Sequence, residues 1–141
     1  MSGVKSGQLY TMKGTVYKVL ACEGDRVLVI NCRKASMPKW MPEPEFSGLE
    51  AAFADDIPAK GREGELPDKE LATARRRYAM IAGILPYIAD DKMRNMLINK
   101  SADVNGVSKR TVTTYLCRYL VYEDIGSLAD KEPVRKEKEL T

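Results

Sequence analysis

Five prolines between residues 35 and 67, namely Pro38, Pro42, Pro44, Pro58 and Pro67, do most to limit how this chain can fold. Proline has no amide hydrogen and holds φ fixed, so neither a long helix nor a central strand runs through such a stretch. Several glycines and acidic residues share it. The chain is therefore expected in four parts. A small β domain should occupy residues 1–42, an acidic Pro/Gly-rich linker 43–67, a helical domain 68–130, and a charged tail or linker 131–141.

The β part rests on GTVYKVLACEGDRVLVINC, from Gly14 to Cys32, in which two β-branched and aromatic runs flank Glu23-Gly24-Asp25. This is a hairpin signal. A two-residue loop at Gly24 and Asp25 predicts Tyr17, Val19 and Ala21 on one buried face with Cys32, Ile30 and Leu28, and sets Cys22 opposite Val27. Leu9 to Met12 is expected as a third short strand, since a lone hairpin is marginally stable. Trp40, the only tryptophan, is expected to close over this sheet, with stacking on a base as the alternative. The sparse apolar content of the linker predicts that Trp40 and the hairpin form a satellite core independent of the helices.

Beyond Pro67 the apolar period changes to that of a helix. Leu71, Ala74, Tyr78, Ile81, Leu85 and Ile88 fall on one helical face, and Pro86 should end or kink the element. Asp90-Asp91 then supplies a cap before Met93, Leu97 and Ala102, and Ser108 caps a third helix carrying Val112, Leu116, Tyr119 and Leu120 towards Gly126. The expected class is α+β, mainly α: a small antiparallel hairpin or sheet followed by a three-helix helix-turn-helix domain.

That last motif needs a small residue where two helices cross, a Gly to turn the chain, and an apolar residue to plug the crossing. Ala102, Gly106 and Val112 have this spacing. The alternative is an ordinary helical hairpin in which Asn105-Gly106 is only a turn. If Val112, Tyr115, Leu116 and Tyr119 face inward, Lys109, Arg110, Thr113, Thr114, Cys117 and Arg118 face outward. No acidic residue interrupts Ser108 to Tyr122. Arg and Lys can donate to guanine, Thr can meet a thymine methyl or a phosphate, and the helix N-terminus can receive phosphate. The DNA-contacting set is thus Ser108, Lys109, Arg110, Thr113, Thr114 and Arg118, with Lys100 and Arg76 for phosphates. Of the triplet Arg75, Arg76 and Arg77, one is expected to pack as an apolar stem.

The overall charge of +3 says little about partners, but its distribution says more. Residues 1–42 carry seven basic and two acidic side chains, while residues 43–67 carry two basic and seven acidic. Residues 92–118 hold six basic groups against Asp103 alone. Three cysteines and no histidine exclude a zinc finger, and no metal or other cofactor is expected. The odd cysteine count and the lack of a leader or an apolar span predict a cytoplasmic protein with no membrane partner.

The order RRRYAMIAGILPYI, a helix, and then NGVSKRTVTTYLCRYLVYEDIGSLAD resembles the N-terminal DNA-binding region of Mu-type DDE transposases and integrases, including transposase B subunits. The hairpin followed by SMPKWMP is similar to the β segment that opens such proteins. The resemblance implies recognition of double-stranded DNA at transposon terminal repeats, alongside other transposition proteins. In that family a domain with three catalytic carboxylates follows. The doublets Asp55-Asp56, Asp90-Asp91 and Glu123-Asp124 do not match its setting, so no catalytic residue is carried over and this chain is not expected to be an enzyme. A helix-turn-helix transcriptional regulator, or a protein-interaction module without DNA binding, are the alternatives.

Overall fold

The computed structural model describes residues 6–33, 36–42, 44, 50–52, 64 and 66–129. Most of the linker, including Asp55-Asp56, and the tail at 131–141 lie outside the described residues. Strands β1 (Leu9–Met12), β2 (Thr15–Glu23), β3 (Arg26–Asn31), β4 (Lys39–Pro42) and the two-residue β5 (Glu50–Ala51) form an antiparallel sheet in the order β4-β3-β2-β1-β5. Three helices follow, α1 (Asp68–Ile81), α2 (Asp91–Asn105) and α3 (Lys109–Tyr122). Helices take up about half of the described residues, so the class is α+β. No described helix is long and apolar enough to cross a membrane.

The hairpin turn is as its sequence predicts, with Gly24 at positive φ and Glu23 opposite Arg26, Cys22 opposite Val27 and Ala21 opposite Leu28. Beyond that the register slips. A bulge between Val19 and Ala21 sets Val19 opposite Val29, Lys18 opposite Ile30 and Tyr17 opposite Asn31. One extra residue on a strand turns every later side chain to the other face. The expected face is therefore corrected. Val16, Ile30 and Cys32 join the core shared with the helices, whereas Val19 joins Tyr10, Val27 and Val29 in a second cluster, with Tyr17, Met12 and Met41 against it.

The same bulge puts Lys18 on the helix side, 7% exposed. A buried ammonium must be matched with acceptors. Its Nζ donates to Leu120 O at 3.0 Å and Val121 O at 3.4 Å, and pairs with the Glu123 carboxylate. These are the orphan carbonyls of the last turn of α3, where the helix dipole favours a cation. Sheet and helices thus share one buried cluster, and the expected independence of the β segment does not hold. Trp40 adds to this join. Its ring carries the Arg26 guanidinium 4.0 Å from the centroid, and its Nε1 donates to Asp91 Oδ1 at 3.2 Å.

Helix α1 begins after Pro67 and buries Ala74 and Ile81. It stops at Ile81, before Pro86, which sits in a 3-10 turn at Leu85–Tyr87. Asp90 caps α2, its carboxylate accepting from Met93 N at 3.0 Å. The buried stripe of α2 is Arg94, Ile98 and Ala102, one position on from the expected Met93 and Leu97, which are half-buried. Arg94 tolerates this site because its Nη1 donates to Ile88 O at 2.7 Å and lies 3.0 Å from the Asp91 carboxylate.

Candidate nucleic-acid interface

Between α2 and α3 the chain turns within Gly106, Val107 and Ser108. Gly106 is left-handed at φ +67°, a conformation that costs other residues energy, and Val107 N donates to Ala102 O at 3.0 Å. Ser108 caps α3, its Oγ accepting from Thr111 N at 3.1 Å. Ala102 and Val112 are both buried, as a close crossing of the two helices requires. Ser101 Oγ also ties α2 to α1 by donating to Met80 O at 2.6 Å. The turn is therefore fixed at both ends by hydrogen bonds.

On the outer side of this turn Ser108, Lys109 and Arg110 are exposed, and Thr113 and Thr114 are half-buried. Lys100 is exposed on α2, and Arg75 and Arg76 are exposed on α1. Arg77 is the member of the triplet that packs. Its Nη1 donates to Leu128 O at 2.6 Å, and its guanidinium lies 5.0 Å from the Tyr115 ring centroid.

The outward stripe of α3 does not continue as expected. Cys117 is fully buried and Arg118 is 8% exposed, which corrects the prediction that both face outward. The cause is tertiary. The Cys117 thiol donates to Met37 Sδ at 3.8 Å, Tyr119 packs in a tilted ring pair against Tyr78 of α1 with centroids 5.1 Å apart, and Lys18 holds the last carbonyls. Arg118 is thus part of the interior, and of the six basic groups in residues 92–118, Arg94 and Arg118 do not face solvent.

Burial also settles the thiol chemistry. It pushes the Cys117 thiol up to about 12, with nearby Arg94 opposing, and the Cys32 thiol up to about 11, with Lys18 opposing. Neither is a nucleophile at neutral pH, because thiolate is the reactive form. Burial, and then the adjacent Tyr78, likewise raise the Tyr119 hydroxyl.

Sequence reasoning missed Lys18 and the true extent of the exposed face. The signal for the second was present in YLCRYLVY, residues 115–122, which is apolar or aromatic nearly all round. A helix of that kind is buried on every side. Compared with known proteins, the sequence matches no family model and no curated protein significantly.

Proposed function

We propose that this chain binds duplex DNA by a helix-turn-helix formed by α2 and α3, with the first two turns of α3 in the major groove. The observation that carries the reading is the polar outer face of the N-terminal half of α3, exposed at Lys109 and Arg110 and half-buried at Thr113 and Thr114. It presents Lys109, Arg110, Thr113 and Thr114 from a helix whose entry is fixed by Gly106 and Ser108. An α-helix fits the major groove, and such motifs insert the start of the second helix most deeply. Arg110 is the residue for a guanine edge, and Lys100, Lys109 and Arg76 are those for phosphates. Recognition of transposon ends, with other transposition proteins as partners, extends this reading through the family resemblance. A binding module for proteins is the second reading, favoured by Met96 and Val104, which are 54% and 75% exposed on α2.

Fluorescence anisotropy of a labelled duplex, first chosen by selection from a random library, tests the main reading. With about three to five cations reaching phosphates, log affinity should fall with log salt at a slope of roughly −2.7 to −4.5. Arg110→Ala should cost about 1–3 kcal/mol on the selected duplex and much less on a scrambled one. A slope near zero, or no selection of any sequence, would overturn the reading.

A further inference from the structure

The face of α2 turned away from the core carries apolar side chains that stand in solvent. Among the described residues the exposed large apolar side chains are Tyr87, Met96 and Val104, and the last two are on α2. Met96, Lys100 and Val104 are four residues apart and follow one another along one side of the helix, with Asp103 beside them. Met93 and Leu97, both half-buried, flank this stripe, while Arg94, Ile98 and Ala102 fill the opposite side. Lys100 and Asp103 are exposed, and neither side chain makes a hydrogen bond or ion pair with another described residue.

We propose that a second copy of the chain packs on this face, α2 against α2 and antiparallel, about a two-fold axis beside Lys100. Met96 and Val104 are each four positions from Lys100, so the axis sets Met96 opposite the partner's Val104 and Val104 opposite the partner's Met96. Both contacts remove apolar surface from water, and the unbranched Met adapts to the branched Val. The two Lys100 ammonium groups approach each other at the axis, but each has the partner's Asp103 within one helical turn. A parallel pairing would set Lys100 against Lys100 and Asp103 against Asp103, so charge selects the antiparallel one. A contact of this symmetry uses one patch on both copies, which is why an apolar pair and a charge pair on a single helix complete it.

Size sets the strength. Stable interfaces bury about 800 Å² on each partner, and two exposed apolar side chains with their neighbours offer less. The dimer is therefore weak, with Kd on the order of 10–100 µM. Its exposed ion pairs fix the register more than they add affinity. Naming a second copy rests on the second reading above, that this face meets a protein. Pairing takes Lys100 out of the set open to phosphates and leaves Lys109 and Arg76, and it uses none of Arg110, Thr113 and Thr114.

Sedimentation velocity of the full chain without DNA, from about 5 to 500 µM, spans the expected Kd and tests the pairing. The average mass should climb from monomer towards dimer across that range. Val104→Asp should weaken association about tenfold or more, because it sets a carboxylate against Met96. Lys100→Asp and Asp103→Lys should each weaken it about three- to fivefold. An equimolar mixture of those two variants should associate more tightly than either alone, since each supplies the charge the other lacks. All three positions are exposed, so thermal melts should stay close to that of the unaltered chain. Arg110→Ala should leave the sedimentation curve unchanged. A chain that stays monomeric at the highest concentration overturns the proposal and leaves the groove reading, which is tested on DNA, standing. A dimer that survives Val104→Asp and gains nothing from the mixture uses another surface, and the proposal fails together with the second reading's choice of face. A chain that dimerises as described but selects no duplex overturns the groove reading instead.

Discussion

The two halves of α3 are built on opposite rules. From Lys109 to Thr114 the helix is polar and cationic, capped by Ser108, and only Val112 is fully inside. From Tyr115 to Val121 every residue but Tyr119 is buried, and α1, the sheet and the segment at Met37 all pack against it. One half therefore draws its stability from its own hydrogen bonds, the other from tertiary burial. If α3 enters a DNA groove as proposed, it gains from this division, because its exposed end is held in place by an end packed into the core.

The largest test of that contrast is Leu116→Ala. Leu116 is fully buried, and its truncation removes apolar contacts while leaving a cavity. The expected loss is about 2–5 kcal/mol in urea unfolding. A loss below 1 kcal/mol would mean that the C-terminal half is not the anchor described above.

A second test uses pH. The Cys32 and Cys117 thiols are raised from an ordinary value of 9.0 to about 11 and about 12. Below pH 9 they are neutral in both folded and unfolded chains, and their stabilising contribution is complete. Between pH 9 and about 11–12 only the unfolded chain ionises, so folded stability falls as pH rises. At pH 10.5 each thiol should account for a loss on the order of 1–2 kcal/mol. Urea midpoints at pH 8 and 10.5 check this, and Cys32→Ala with Cys117→Ala should remove most of the difference. An unchanged pH dependence in that double variant would place the thiols in contact with solvent.

The same contrast marks what was legible in the sequence. Caps and turns follow local rules, so Asp90, Gly106, Ser108 and the Gly24 turn could be read from a few neighbouring residues. The side chains that went wrong depend on partners far along the chain. Cys117 is covered by Met37, eighty residues away, and Lys18 finds its acceptors at Leu120 and Val121. The bulge at Leu20 carries no glycine to announce it, and it decides which of Lys18 and Val19 faces the helices. Periodicity alone assigned Cys117 and Arg118 to solvent because it assumed one wet face along the whole of α3.

Ser108→Ala probes the polar half. Its Oγ accepts from Thr111 N and lies 3.0 Å from Thr111 Oγ1, so removal leaves a first-turn amide without its cap. The expected cost is about 1 kcal/mol, read as a lower melting temperature. No change at all would mean that water replaces the cap at no cost, as happens where the first turn frays.

The variant with the smallest expected effect on stability is Arg110→Ala, and setting it beside Arg118→Ala separates the two halves most directly. Arg110 is exposed in the first turn of α3, and exposed positions of this kind usually change stability by less than about 0.5 kcal/mol. Arg118 is 8% exposed, and its aliphatic stem fills interior space whatever its head contacts. Truncating it should therefore cost about 1–3 kcal/mol through lost packing and acceptors left inside. Two residues of one type, eight positions apart on one helix, should thus differ in melts while differing in the opposite sense in DNA titrations done well below melting. Arg110→Ala should keep the melt and lose affinity for the selected duplex. Arg118→Ala should shift the melt and keep the affinity of the molecules that remain folded. Equal melts for the two variants would show that the third turn of α3 reaches solvent, and the exposed face would then have to be redrawn through Arg118.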